Sequence, residues 1–231
     1  MGIKITNLGR WNGRVFALAL MMLCGVWLQG CAAVAVLTHM VLGPQKKVKV
    51  VAQYRDLSKK KVAVVTIASD LISKQIPVSL SKSVQKTLIK VKDDIPGITL
   101  ISQREVEKFK KNNPHWQTPA VTPEDWLKGL GVQRLVMIDL TEFRTHDVGN
   151  INVLRGRAAG TVAVYQVEDP DPNQATYFNN EIQILYPEKA TVGGVPGPNP
   201  KAEKKILEGL YANMSEQVAW LFYDHIEWVD R

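Results

Sequence analysis

Lys61-Val-Ala-Val-Val-Thr-Ile-Ala68 is an unbroken run of small and β-branched residues behind one lysine. Neither the odd nor the even positions are polar apart from Thr66, so the run has no wet side. That pattern predicts a strand covered on both faces, which needs a sheet with helices above and below it. Reading forward, a loop reaches Pro77, and residues 79–92 then carry Leu80, Val84, Leu88 and Val91 at helical spacing. Lys82, Lys86 and Lys90 run beside them as a basic stripe. Pro96-Gly97 turns the chain into Ile98-Thr-Leu-Ile101, a second short strand. Strand, helix and strand in this order make a βαβ unit, which closes right-handed onto one sheet.

Ser102-Gln-Arg-Glu105 is a capping box and opens a helix to about Lys111, with Val106 and Phe109 turned inward. Asn112-Asn-Pro-His-Trp116 stops it. Thr122-Pro-Glu-Asp125 starts another: threonine caps, proline takes the first turn and the acids face the helix dipole. Gly131 suits the C-terminal cap of that helix. Arg134–Phe143 then reads as a long central strand, followed by Ala159–Val167 and Thr176–Tyr186 as an antiparallel hairpin. Gly193–Pro200 is an irregular loop, and Lys201–Trp228 reads as one long helix with Ile206, Leu210, Met214, Val218 and Leu221 on a stripe. The order β-α-β-α-α-β-β-β-α predicts a mixed α/β sheet of four or five strands, flanked by helices, as a single domain over residues 61–231.

Reading backward, residues 31–60 look like a tether and lead-in, broken by Gly43-Pro44 and carrying Lys46, Lys47 and Lys49. Residues 1–14 hold Lys4, Arg10 and Arg14 with no acid, and Val15–Trp27 is apolar and uncharged. A basic segment followed by a short apolar one is the pattern of a secretory signal. It ends on Leu28-Gln29-Gly30-Cys31, which resembles the lipobox of bacterial lipoproteins. The resemblance implies cleavage before Cys31 and acylation of that cysteine, with Leu28 and Gly30 recognised by the signal peptidase. Residues 1–30 are then a signal peptide. Ala32 in place of Asp after the cysteine favours the outer membrane. The alternative is a retained membrane helix, because Val15–Leu42 could span a bilayer of ~20 apolar residues; Gln29 and Gly30 interrupt it.

Of 231 residues, 29 are basic and 22 acidic, a net charge of +7. Loss of residues 1–30 removes three cations and no acid, leaving +4. Such an excess favours an anionic surface without requiring one, and export argues against nucleic acid as a partner. The two cysteines are Cys24, in the discarded segment, and Cys31, which carries the lipid. The exported domain therefore has no disulfide, thiol nucleophile or thiolate metal site.

The strand Lys61-Val-Ala-Val-Val65, the amphipathic helix, Leu100-Ile-Ser-Gln-Arg-Glu-Val106, the helix closing on Leu130-Gly131 and the strand Leu135–Phe143 with its hairpin are similar, in this order, to a group of envelope proteins. These are the curli-secretion lipoprotein, the lipoprotein activator of penicillin-binding proteins and the TolB amino-terminal domain. Val132 and Ile138 stand where that group carries Ala and Gly. Tyr54-x-x-Leu57, Asn113-Pro-His-Trp116, Leu130-Gly-Val-Gln-Arg134 and Leu154-Arg-Gly-Arg157 also resemble features of planctomycete-type lipoproteins. Both resemblances imply an envelope location and a sheet flanked by helices.

Catalytic signatures are thin. The histidines are His39, His115, His146 and His225, and none stands in a zinc-binding or hydrolytic spacing. Asp139, Glu142 and His146 form the best polar cluster for an enzyme or small-ligand reading. Asp169-Pro-Asp171-Pro-Asn173 has the oxygen spacing of a calcium loop but Gln174 and Asn180 at its glycine and glutamate positions. No Gly-x-Ser-x-Gly or phosphate loop is present. No metal or cofactor is expected. The reading is a non-catalytic, lipid-tethered envelope module that binds another envelope protein as an assembly or regulatory subunit. Lys82, Lys86, Lys90 and Trp116 are its candidate partner surface, and a homo-oligomer or export complex is a further reading.

Overall fold

The computed structural model describes residues 46–69, 71–116, 121–147, 150–174, 178–188 and 199–229. The signal, the lipobox, the tether up to residue 45 and the loop 189–198 lie outside them. In chain order the elements are β1 (Lys46–Val50), β2 (Lys61–Ala68), α1 (Gln75–Lys90), β3 (Thr99–Leu100), α2 (Gln103–Asn112), α3 (Pro123–Leu130), β4 (Arg134–Asp147), β5 (Asn150–Gln166), β6 (Asn179–Tyr186), α4 (Pro200–Trp220) and β7 (His225–Val229).

Two compact units divide the chain. Met1–Lys49 with Ile226–Arg231 form one, and its described part is a two-stranded sheet of β1 and β7. Lys47 Nζ sits 4.6 Å from the ring centre of Trp228 there, a cation–π contact across the ladder.

Val50–His225 form the other unit. Its five-stranded sheet has the order β3-β2-β4-β5-β6. β2 is parallel to β3 and β4, while β4–β5 and β5–β6 are antiparallel. The expected mixed sheet flanked by helices is the fold. β2 is polar on neither side because each side meets a helix layer. Val62 and Val64 join the core under α1 and α4, with Leu80, Val84, Leu88, Leu210, Met214 and Val218. Ala63 and Val65 join the core under α2 and α3, with Val106, Trp126, Leu127 and Leu135. Ser81 pins α1 to β2: its Oγ accepts the Thr66 N–H and donates to Thr66 Oγ1, both at 2.9 Å.

Both expected capping boxes form. Ser102 Oγ accepts the Glu105 N–H while Glu105 takes the Ser102 N–H, and Thr122 and Asp125 do the same for α3. Gly131 closes α3 at φ 58°, a left-handed conformation that suits glycine. α1 begins at Gln75, so Pro77 lies in its first turn, where a missing N–H costs nothing.

The final helix is shorter than its sequence pattern suggested. α4 ends at Trp220 instead of running to Trp228. The Leu221 carbonyl accepts the backbone N–H groups of Gln53 and Tyr54, both at 2.9 Å. Asp224 accepts the Ala52 N–H at 3.0 Å and pairs with Arg55 at 2.6 Å. These bonds divert the chain, and Ile226 and Trp228 alternate with Glu227 as a strand. Residues 50–60, placed in the lead-in by the sequence pattern, belong to this unit, with Tyr54 and Leu57 buried in the α1–α4 core.

Candidate functional site

Leu28, Gly30 and Cys31 lie outside the described residues. Among those described, no helix is long and apolar enough to cross a membrane. Lys82, Lys86 and Lys90 are all exposed along α1, with Ile89 exposed beside them. Like charges four residues apart weaken an isolated helix, so α1 depends on its packed face.

Trp116 is half-buried rather than displayed. It meets Trp126 edge-on at 6.0 Å, and Lys110 Nζ lies 4.3 Å from its ring centre. Both residues line a cleft of about 390 Å³ at the carboxyl end of β2, with Ser69, Lys74, Glu107 and Lys111 also on its wall. Lys110 is 5 % exposed and is held by Glu107 at 3.2 Å. Burial pulls the Lys110 ammonium below the ordinary lysine range, and Glu107 opposes that pull only in part.

Within the Asp139, Glu142 and His146 cluster, Glu142 and His146 take separate partners. A bulge at Thr141 of β4 shifts the β4–β5 register, so that Asp139 lies opposite Thr161, Glu142 opposite Ala159 and Arg144 opposite Arg157; past Arg144 a second irregularity puts the extra residue on β5, at Arg155–Gly156. Asp139 and Glu142 therefore share the face turned away from α4. His146 lies opposite Leu154, a residue of the α1–α4 core, and its Nδ1 meets Thr145 Oγ1 at 3.0 Å. Thr145 in turn donates to Glu203 of α4 at 3.1 Å. His146 thus meets Thr145 and not a carboxylate. Glu142 is itself taken up by two arginines, Arg144 Nε at 2.8 Å and Arg157 Nε at 3.0 Å.

Sequence reasoning missed the surface to which these residues belong. The core under α2 and α3 draws on β2 and the start of β4. Beyond Met137 that face of β4, β5 and β6 carries polar side chains in ranks set by the register. Asp139, Thr161 and Glu181 form one rank; Glu142, Ala159 and Gln183 the next; Arg144, Arg157 and Leu185 the third. Arg155 stands one step further along β5, its Nε buried without a hydrogen-bond partner among the described residues. The alternation Arg155-Gly-Arg157 was the available signal; pairing with Arg144 past the Thr141 bulge was not visible in it.

A second charged group is structural. Arg134, 2 % exposed, is held by Asp56 and Glu168, and Lys60 reaches Glu168 at 3.0 Å. Partial burial pushes the Glu168 carboxyl up, but hydrogen bonds from Lys60 and Arg134 outweigh it and hold it below the ordinary range. Burial likewise pushes the neighbouring Tyr54 phenol up to about 12, against the Arg134 charge.

The Asp169–Asn173 segment serves as a turn and cap. Asp171 accepts the Asn173 N–H at 3.0 Å and Gln174 Nε2 at 2.8 Å, and Asn173 Oδ1 accepts the Glu124 N–H at the start of α3 at 3.1 Å. His225 stacks on Trp220 at 4.7 Å. Among the described residues, no three His, Cys, Asp or Glu side chains converge as metal ligands.

No protein-family model matches the sequence, and no curated protein does. Solved bacterial structures are similar in outline. The PelC dodecamer of Paraburkholderia phytofirmans is 8 % identical, with a TM-score of 0.43 over 78 % of this chain and 99 % of that one. The C-terminal domain of LpoB from Salmonella enterica is 10 % identical, with a TM-score of 0.34 over 55 % and 83 %. Lipoprotein GNA1162 of Neisseria meningitidis is 17 % identical, with a TM-score of 0.39 over 69 % and 97 %. No family assignment follows from them.

Proposed function

We propose that this chain is a lipid-anchored module of the bacterial cell envelope, held in the outer membrane through Cys31, that binds another envelope protein and performs no chemistry of its own. One observation carries the absence of chemistry: in the cluster best suited to catalysis, both oxygens of Glu142 are engaged by Arg144 and Arg157. A general base needs its carboxylate within reach of a substrate proton, and this one faces guanidinium groups instead. The anchor rests on Leu28-Gln29-Gly30-Cys31.

In-cell crosslinking of the full-length protein, with Cys31→Ser as control, tests the reading. Enrichment of one envelope protein only when Cys31 is intact is the expected result. Equal recovery of no protein from both forms overturns it. Mass spectrometry of the N-terminal peptide of the membrane-extracted protein checks the lipid directly.

The cleft at the end of β2 favours a second reading, a small ligand with an anionic group. Lys110 supplies a desolvated cation on its wall and Trp116 an aromatic edge. Thermal unfolding of the full chain against a panel of small carboxylates and phosphates, with Lys110→Met as control, separates the two. A ligand that raises the midpoint only in the parent chain supports this reading.

A further inference from the structure

We propose that the face of β4, β5 and β6 left uncovered by the described residues is a contact surface for a second copy of this chain, the two sheets packing face to face about a two-fold axis along the Glu142–Ala159–Gln183 rank. The inference is independent of the anchor and of any heterologous partner.

The register itself carries the argument. A two-fold interface must be self-complementary, so the same patch has to present both halves of each contact. Three ranks cross the face in order: Asp139–Thr161–Glu181, Glu142–Ala159–Gln183 and Arg144–Arg157–Leu185. Rotation about the middle rank lays the acidic rank of one copy over the basic rank of the other, and the reverse, strand over like strand. Asp139 then lies over Arg144 of the other copy, and Thr161 over Arg157, with Glu181 diagonal to it. The small Ala159 stands at the centre, where two sheets must approach to about 10 Å.

Charge on the isolated chain points the same way. Arg144 and Arg157 lie directly opposite one another, an arrangement of like charges that costs stability in a sheet. Glu142 compensates one of the two. The acidic rank of a second copy supplies the missing charge, and Glu142, already paired in its own chain, meets its counterpart on the axis without naked repulsion. A long polyanion fits less well, because Asp139, Glu142 and Glu181 balance Arg144, Arg155 and Arg157 on this face.

Three short ranks are less than the roughly 800 Å² per partner of a standard stable interface. The contact is consequently weak in solution.

The test is a charge swap on the full chain in detergent, followed by sedimentation over a range of concentrations. Arg144→Glu with Arg157→Glu makes both outer ranks acidic, and Asp139→Lys with Glu181→Lys makes both basic. Each double variant alone is expected to dimerise at least about tenfold more weakly than the parent chain, and their mixture to recover parental affinity to within about threefold. A parent chain that stays monomeric at the highest concentration overturns the proposal, as does a dimer indifferent to either variant or a mixture that fails to recover. Should a charge variant not fold, Ala159→Cys decides. A thiol-specific crosslinker about 10 Å long should join two copies through that residue at the sheet spacing, and no crosslinked dimer overturns the proposal.

Discussion

Arg134 at the start of β4 grips Asp56, 78 residues earlier in the chain, through both its Nη2 and, at 3.3 Å, a bond from Nε to the Asp56 carbonyl. Its other arm holds Glu168 at the end of β5. One guanidinium therefore fastens the segment leading into β2, the start of the central strand and the turn after the hairpin. The cation is 2 % exposed while its carboxylates are 55 % and 48 % exposed, and that asymmetry sets the order of mutational costs.

Removing the exposed partners should cost more than removing the buried cation. Asp56→Asn with Glu168→Gln strands a desolvated charge and is expected to lower stability by about 3 kcal/mol. Arg134→Met keeps the packed stem, frees two carboxylates that water can reach, and should cost about 1 kcal/mol. Urea unfolding of both variants gives the order, and the reverse order would refute the account.

The two capping boxes predict a specific acid limb. Hydrogen bonds from the Ser102 backbone and hydroxyl hold Glu105 below the ordinary carboxylate range, and Thr122 does the same for Asp125. Folded values below unfolded ones mean that the folded chain binds fewer protons between the two, so stability rises with pH there. The contribution is complete above the unfolded values of about 4 and disappears as pH falls through the folded ones. Glu105→Gln with Asp125→Asn should therefore be less stable than the parent at neutral pH and converge with it in strong acid. Chemical denaturation across that range measures it.

Gly160 is expected to resist even alanine. A Cβ there would stand 2.5 Å from the Asp139 carbonyl oxygen, and backbone cannot rotate aside. Gly160→Ala should cost about 2–3 kcal/mol, at the upper end for overpacking. Gly209→Ala, whose Cβ would meet the Tyr186 ring at 2.2 Å, has a side chain that can yield and should cost less, as the two thermal midpoints would show.

Trp126 anchors the smaller core. It is 1 % exposed, lies 4.6 Å from the Phe109 ring and meets Trp116 edge-on. Trp126→Ala should destabilise the chain by about 3–5 kcal/mol and, by loosening Trp116, change the shape of the cleft. Tryptophan fluorescence at equilibrium and calorimetry read the two effects separately.

The elements most legible in sequence are those whose signals are local. Lys61–Ala68 announces a doubly covered strand, and Ser102/Glu105 and Thr122/Asp125 announce helix starts. What escaped depends on distant partners. β1 was hidden because Lys47-Val-Lys-Val50 reads as a solvated linker until Ile226–Val229 lies beside it. The end of α4 was hidden because Leu221 and Asp224 are claimed by backbone groups of residues 52–54. The ranks on that face of β4, β5 and β6 depend on the bulge at Thr141, and a one-residue shift in register reverses which side a residue faces.

The β1–β7 ladder has a mechanical meaning. The chain enters the fold through one of these strands and leaves through the other, so a load pulling on both flanking segments arrives first at that short ladder. It acts as a fuse: at five residues a strand it is a far weaker pairing than that of β4 with β5. Drawing the two flanking segments apart then separates β1 from β7 at little cost.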